Sequence, residues 1–142
     1  MPAVVAAAAE VDAEIVLVRP DRRTAARALP DNVRVVDWIP LDEALPASAA
    51  LVHHGGAGSA FGALAAGLPQ LATTGPGDRR HNAELVARRG GGLAMRPRDI
   101  TARALTQLLT DERLRAAAAQ VSREIAGMPP PTDLVGRLAG LV

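Results

Sequence analysis

Five short runs rich in aliphatic and β-branched residues recur along this chain, most of them separated by longer alanine-rich segments. Glu14–Val18 (EIVLV), Val33–Val36 (VRVV), Ala50–His53 (ALVH), Gln70–Ala72 (QLA) and Gly92–Met95 (GLAM) read as strands. The opening MPAVVAAAAEVDAE, Ser59–Ala66 and His81–Arg89 read as helices. Strands alternating with helices predict an α/β fold, in which a parallel sheet is covered on both faces. At 142 residues the chain has the size of one ordinary domain, so a single domain over 1–142 is expected.

The last third changes character. Ala102–Leu109 and Asp111–Ile125 read as two helices, the second with Thr110 as its expected N-cap and acids in its first turn. Leu105, Leu108, Leu109, Leu114, Val121 and Ile125 recur near helical spacing and are expected to face the core. Residues 128–142 (MPPPTDLVGRLAGLV) then form a proline-rich linker and a closing helix. An open α/β domain normally starts with a central strand, whereas this chain starts in a helix. The expectation is a parallel sheet lacking its first strand, with the chain a fragment of something longer.

Composition excludes several function classes. All 16 basic residues are arginines, scattered and balanced by 15 acids, so neither a nucleic-acid nor a membrane-surface footprint is present. Without cysteine there is no disulfide framework and no thiolate metal site, and a cytoplasmic setting is expected. The alanine-rich start carries no positive n-region, and no stretch reaches the roughly 18 to 20 apolar residues of a membrane span.

The chemistry concentrates in LVHHGGAGSAFGALAAG, residues 51–67. A strand entering a glycine-rich turn that opens a helix gathers backbone N–H groups and a positive helix end at one point, a setting for phosphate. Gly55, Gly56 and Gly58 are candidates for positive-φ positions and close ligand approach, and Ser59 for a cap or hydroxyl donor. If His53 and His54 end a strand they point to opposite faces, so one of them reaches a ligand there. A tight strand-to-helix connection beside a satisfied histidine accounts for the same residues. The spacing fits neither GxGxxG with a following acid nor GxxxxGK[ST]. Adjacent histidines do not easily share one metal ion, and GAGSAFG is a poor G-x-S-x-G elbow, so metal and serine-hydrolase readings fail.

Taken together, VDWIPLDEALPASAALVHHGGAGSAFGALAAGLPQL and GDRRHNAELVARRGGGLAM closely resemble the nucleotide-sugar-binding C-terminal half of bacterial natural-product glycosyltransferases of GT-B fold, those that decorate macrolides, aromatic polyketides and enediynes. The likeness runs from about Val11 to the end of the chain. It implies a Rossmann-like three-layer α/β/α domain. Trp38 then matches the aromatic residue that stacks on the uracil or thymine base, with Ile39 beside it at the base edge. His54 matches the diphosphate-binding histidine, and Gly56, Ala57, Gly58 and Ser59 match the turn whose amides hold the same group. His53 becomes the inward-facing neighbour, and Gln70 a support of the pocket floor.

Asp78 matches the acid that accepts hydrogen bonds from sugar hydroxyls. Arg79 stands where the family commonly has glutamine, which exchanges an amide for an obligate cation. Either the donor sugar differs, as a deoxysugar lacking that hydroxyl would, or Arg79 faces solvent with Arg80. Asn82 is expected to cap or order the following helix.

The resemblance implies inverting, metal-independent transfer of a sugar from a dTDP- or UDP-sugar to a small natural product, with the nucleotide-sugar as co-substrate and no cofactor. It places the acceptor pocket and the general base in an N-terminal domain outside this sequence, so no catalytic base is expected here and the chain alone would be inactive. The closing PPPTDLVGRLAGLV resembles the family's last helix, which points to truncation at the front. A separate donor-binding subunit of a two-chain enzyme and a degenerate, non-catalytic partner domain are the alternatives. A homodimer is compatible with each.

Overall fold

The structure is a computed structural model and describes residues 2–130 and 132–140. Its elements in order are α1 (Pro2–Ala8), β1 (Ile15–Val18), α2 (Arg22–Ala25), β2 (Val33–Val36), α3 (Leu41–Ala44), β3 (Leu51–His53), α4 (Ala57–Ala65), β4 (Gln70–Thr73), α5 (Arg79–Arg88), β5 (Gly92–Met95), α6 (Ala102–Thr110), α7 (Glu112–Ala126) and α8 (Thr132–Ala139). The strand runs of the sequence are all present and all pair in parallel. This is a Rossmann-like α/β arrangement.

A parallel sheet lacking its first strand was expected, and the strands form two ladders: β1 with β2, and β3–β4–β5. In the doubly wound order 3-2-1-4-5-6, these ladders match the 3-2 and 4-5-6 flanks, and no described strand takes the central position. The ladders are joined by side chains. Ile15 of β1 and Val52 of β3 both pack on a cluster that includes Val4 of α1, Val11, Leu71 of β4, and Leu105 and Leu108 of α6. Asn32 adds a polar brace ahead of β2, its amide donating to the carbonyls of Ala8, Val11 and Ala13 at 2.9, 3.1 and 2.9 Å.

Alternation along β4 sends Leu71 into that cluster and Gln70 and Ala72 to the opposite side, where α4 and α5 cover them with Ala60, Ala63, Ala83 and Val86. Gly92 is forced by this packing, because a Cβ there would lie 2.0 Å from the Gln70 carbonyl oxygen. On α6 and α7, Leu105, Leu108, Leu114 and Val121 are buried, and Leu109 and Ile125 half-buried. The Ser122 hydroxyl donates to the Ala65 carbonyl at 2.7 Å, closing the end of α4.

Several boundaries differ from the sequence reading for local reasons. Glu14 lies outside β1, which begins at Ile15. Helix α4 starts two residues before Ser59, because extended Gly56 caps it and Ala57 is a good helix former. Ser59 therefore sits in the first turn and supplies no cap. Helix α5 likewise starts at Arg79. The N-cap of α7 is Asp111, whose carboxylate accepts from the Arg113 N–H at 3.0 Å, while Thr110 remains in α6 and donates to the Thr106 carbonyl. Single-turn α2 and α3 carry no periodicity to read; Asp21 holds the first through two 2.9 Å bonds from Thr24.

Candidate functional site

The glycine turn between β3 and α4 is built around one residue with a left-handed backbone. Gly55 has φ +84°, and a Cβ there would lie 2.7 Å from the Thr73 carbonyl oxygen and 2.8 Å from that of Arg79. Glycine is thus required both by conformation and by the approach of β4 and α5. Of the three glycines expected to supply positive φ, only Gly55 does so. Gly56 has φ −67°, and Gly58 belongs to α4. Ala57, Gly58 and Ser59 are the first three residues of α4, and the N–H groups of a helix's first turn have no intrahelical partner. No side-chain cap engages this end of the helix.

His53 and His54 divide as strand alternation predicts. His53 is buried and His54 exposed. The His54 imidazole folds onto the turn, with Nε2 2.5 Å from where a Cβ on Gly56 would stand. Beneath it, the Gly55 N–H donates to His53 Nδ1 at 3.2 Å, and His53 Nε2 meets Gln70 Oε1 at 2.8 Å. The Gln70 side-chain amide donates to the Ala60 carbonyl at 3.2 Å. Burial holds the pKa of His53 below the usual histidine value, partly opposed by its bond with Gln70, and the neighbouring His54 lowers it further.

The head of α5 joins the turn from the side. Asn82 donates its side-chain amide to the Gly55 carbonyl at 3.0 Å and to Asp78 Oδ2 at 3.2 Å. Asn82 is therefore a brace inside α5, and its reach to a residue 27 positions earlier left no trace in local sequence pattern. Asp78 occupies the N-cap position but makes no capping bond, and both Asp78 and Arg79 are exposed. The Arg79 stem lies along the preceding loop, Cδ 3.1 Å and Nη1 3.8 Å from a Cβ position on Gly75. Among the described residues no carboxylate pairs with it.

Trp38 follows the carboxyl end of β2 and is 70% exposed, with Ile39 beside it at 36%. An indole with that exposure is not a core residue. The structure thus brings His54, Gly56, Ala57, Gly58, Ser59, Asp78 and Arg79 together at the carboxyl ends of β3 and β4. Trp38 and Ile39 stand beyond the end of the other ladder, and no hydrogen bond links their side chains to that group among the described residues. Carboxyl ends of parallel strands are where open α/β sheets bind ligands. Among the described residues no group of three or more His, Asp or Glu converges as a metal site, and no helix is long and apolar enough to cross a membrane.

Comparison with known proteins gives this arrangement a family. Residues 2–141 match the family described as "Erythromycin biosynthesis protein CIII-like, C-terminal domain", and the chain belongs to it. It is 46% identical over 110 residues to the elloramycin glycosyltransferase ElmGT of Streptomyces olivaceus, covering 78% of this chain and 28% of that protein. It is 39% identical over 143 residues to the aclacinomycin-T 2-deoxy-L-fucose transferase of Streptomyces galilaeus, covering 96% of this chain and 32% of that protein. This chain therefore spans 28% and 32% of the length of these two relatives.

Among solved structures it is similar to the glycosyltransferase SnogD from Streptomyces nogalater, with TM-score 0.84 and 37% identity, covering 99% of this chain and 39% of that one. It is equally similar in shape to the glycosyltransferase VinC in complex with dTDP, with TM-score 0.84 and 38% identity, covering 95% of this chain and 35% of that one. The relatives are bacterial antibiotic glycosyltransferases, and the structural neighbours are natural-product glycosyltransferases of GT-B fold.

Proposed function

We propose that this chain is the donor-binding part of an inverting, metal-independent glycosyltransferase that moves a sugar or deoxysugar from a dTDP- or UDP-sugar to a small hydroxylated natural product. The observation that carries this reading is the glycine turn at the head of α4. Three first-turn amides, the exposed His54 imidazole and the head of α5 meet there at the carboxyl edge of a parallel ladder. A diphosphate suits that arrangement, since its oxygens accept from amides and imidazole, and the helix end favours its charge.

In this reading Trp38 stacks on the pyrimidine base, with Ile39 at the base edge. His54 and the amides of Gly56, Ala57, Gly58 and Ser59 hold the diphosphate, and Asp78 accepts from sugar hydroxyls. Arg79 brings a fixed positive charge to the sugar end, where it favours a donor different from one read by glutamine. As the anomeric bond breaks, negative charge grows on the departing diphosphate, and groups already aimed at its oxygens lower the barrier. The base that takes the acceptor's proton belongs to an N-terminal domain, so this chain by itself binds the nucleotide without turnover.

Titration calorimetry of the 142-residue chain with dTDP and UDP tests this directly. Weak, saturable binding of either nucleotide is the expected result. Heats no larger than dilution for both would end the donor-binding reading.

A further inference from the structure

The hydrogen bonds under the turn have only one self-consistent direction. A backbone N–H can only donate, so the Gly55 contact makes His53 Nδ1 the acceptor and leaves the ring proton on Nε2. Nε2–H then donates to Gln70 Oε1, and the Gln70 amide nitrogen is left to donate to the Ala60 carbonyl. Flipping the Gln70 amide would set donor against donor at His53 and acceptor against acceptor at Ala60. The relay starts at the first residue of the turn and ends inside the first turns of α4, so it grips both ends of residues 55–60. Gln70 is fully buried and His53 nearly so, and every bond in the relay is formed away from water.

We infer that His53 and Gln70 are positioning residues, which aim the turn's amides at the diphosphate by holding the Gly55 N–H on a neutral imidazole and the Ala60 carbonyl on an amide. This inference rests on the donor-binding reading for its ligand. Neither side chain touches the nucleotide. They act through the geometry of Gly55 to Ser59, where preset donors cost no rearrangement when charge arrives.

Two substitutions separate this role from bulk stability. His53→Asn keeps an acceptor near the Nδ1 position and gives up the reach to Gln70. His53→Gln keeps a donor near the Nε2 position and gives up the acceptor for Gly55. Both remove a buried ring, so a purely structural role would lower binding in step with thermal stability in both. The positioning role predicts that His53→Gln weakens dTDP affinity about tenfold and exposes the Gly55 amide to hydrogen exchange about tenfold faster, while His53→Asn stays within about threefold of wild type in both. Exchange at Gly55 needs no ligand, so it decides the relay even if wild type fails to bind dTDP, an outcome that would remove only the donor-binding reading. Equal Gly55 exchange in the two variants, or equal loss of dTDP affinity, overturns the assignment.

Discussion

The side-chain amide of Asn82 donates to the carbonyl of Gly55 at 3.0 Å, fastening the first turn of α5 to the first residue of the glycine turn. The same amide reaches Asp78 Oδ2 at 3.2 Å, so one side chain orders the proposed sugar-contacting carboxylate and the proposed diphosphate turn together.

Asn82→Ala should therefore destabilise the chain by about 1 kcal/mol, the usual net value of a partly buried hydrogen bond. Asn82→Asp should cost more, because a carboxylate cannot donate to Gly55 and would add its charge beside Asp78. Urea unfolding of the two variants ranks them. An aspartate variant as stable as wild type would show that this link contributes nothing.

The two histidines should separate when affinity and stability are measured together. His54 is exposed, so His54→Ala, which removes a hydrogen bond to a charged group, should weaken dTDP binding about a hundredfold and leave the thermal midpoint near wild type. His53→Ala removes a buried, doubly bonded ring and should lower the midpoint. Its effect on affinity should be smaller than that of His54→Ala. Calorimetry and thermal melts on the same samples read both effects, and equal affinity losses would remove His54 from the site.

Glycine positions should differ by what surrounds them. Gly92→Ala pushes a methyl into the Gln70 carbonyl, and a loss of about 3 kcal/mol, the upper end of overpacking costs, is expected. Nothing lies within 4 Å of a Cβ at Gly58, in the first turn of α4. There Gly58→Ala should stabilise the helix by roughly 0.5 kcal/mol or more. Chemical denaturation midpoints give both signs.

Folding stability should fall on mild acidification. The folded pKa of His53 lies below its unfolded value near 6.5, so below that pH the unfolded chain takes up more protons. The contribution is fully present above about pH 6.5 and is lost as pH drops through the folded value. The charged or titratable groups around the turn are His54 on the next residue and Asp78 and Arg79 at the head of α5, none of which hydrogen-bonds to the ring. His53→Asn should flatten this part of the stability profile between pH 7 and 5. An unchanged slope in the variant would assign the titration to another group.

Much of the fold was legible because its signals are local. Strand runs such as VRVV and GLAM and the periodic leucines of α6 and α7 depend on neighbours one to four residues away. So does the division of His53 from His54, which follows from strand alternation alone. What could not be read is non-local. Gly55 meets the carbonyls of Thr73 and Arg79, Asn82 reaches back to Gly55, and His53 is fixed through Gln70 to Ala60. Boundaries erred where a helix needed no capping side chain, as at Gly56, or where the stronger of two adjacent caps won, as Asp111 did over Thr110. The break between ladders was legible in one respect, since a chain that opens in a helix was expected to lack the central strand, while the strand runs themselves carry no sign of where a sheet divides.

That break sets how the two ends of a nucleotide would be measured against each other. Trp38 is carried by the β1–β2 ladder, and the glycine turn by β3. No backbone ladder runs from one to the other among the described residues; the registration passes through the aliphatic cluster on which Ile15 and Val52 both pack. Side-chain packing is a more compliant ruler than a hydrogen-bonded sheet. A bound nucleoside diphosphate, gripped at base and phosphate, would act as a strut between the halves. Nucleotide should thus slow amide exchange in β1 and β2 even though it touches neither strand.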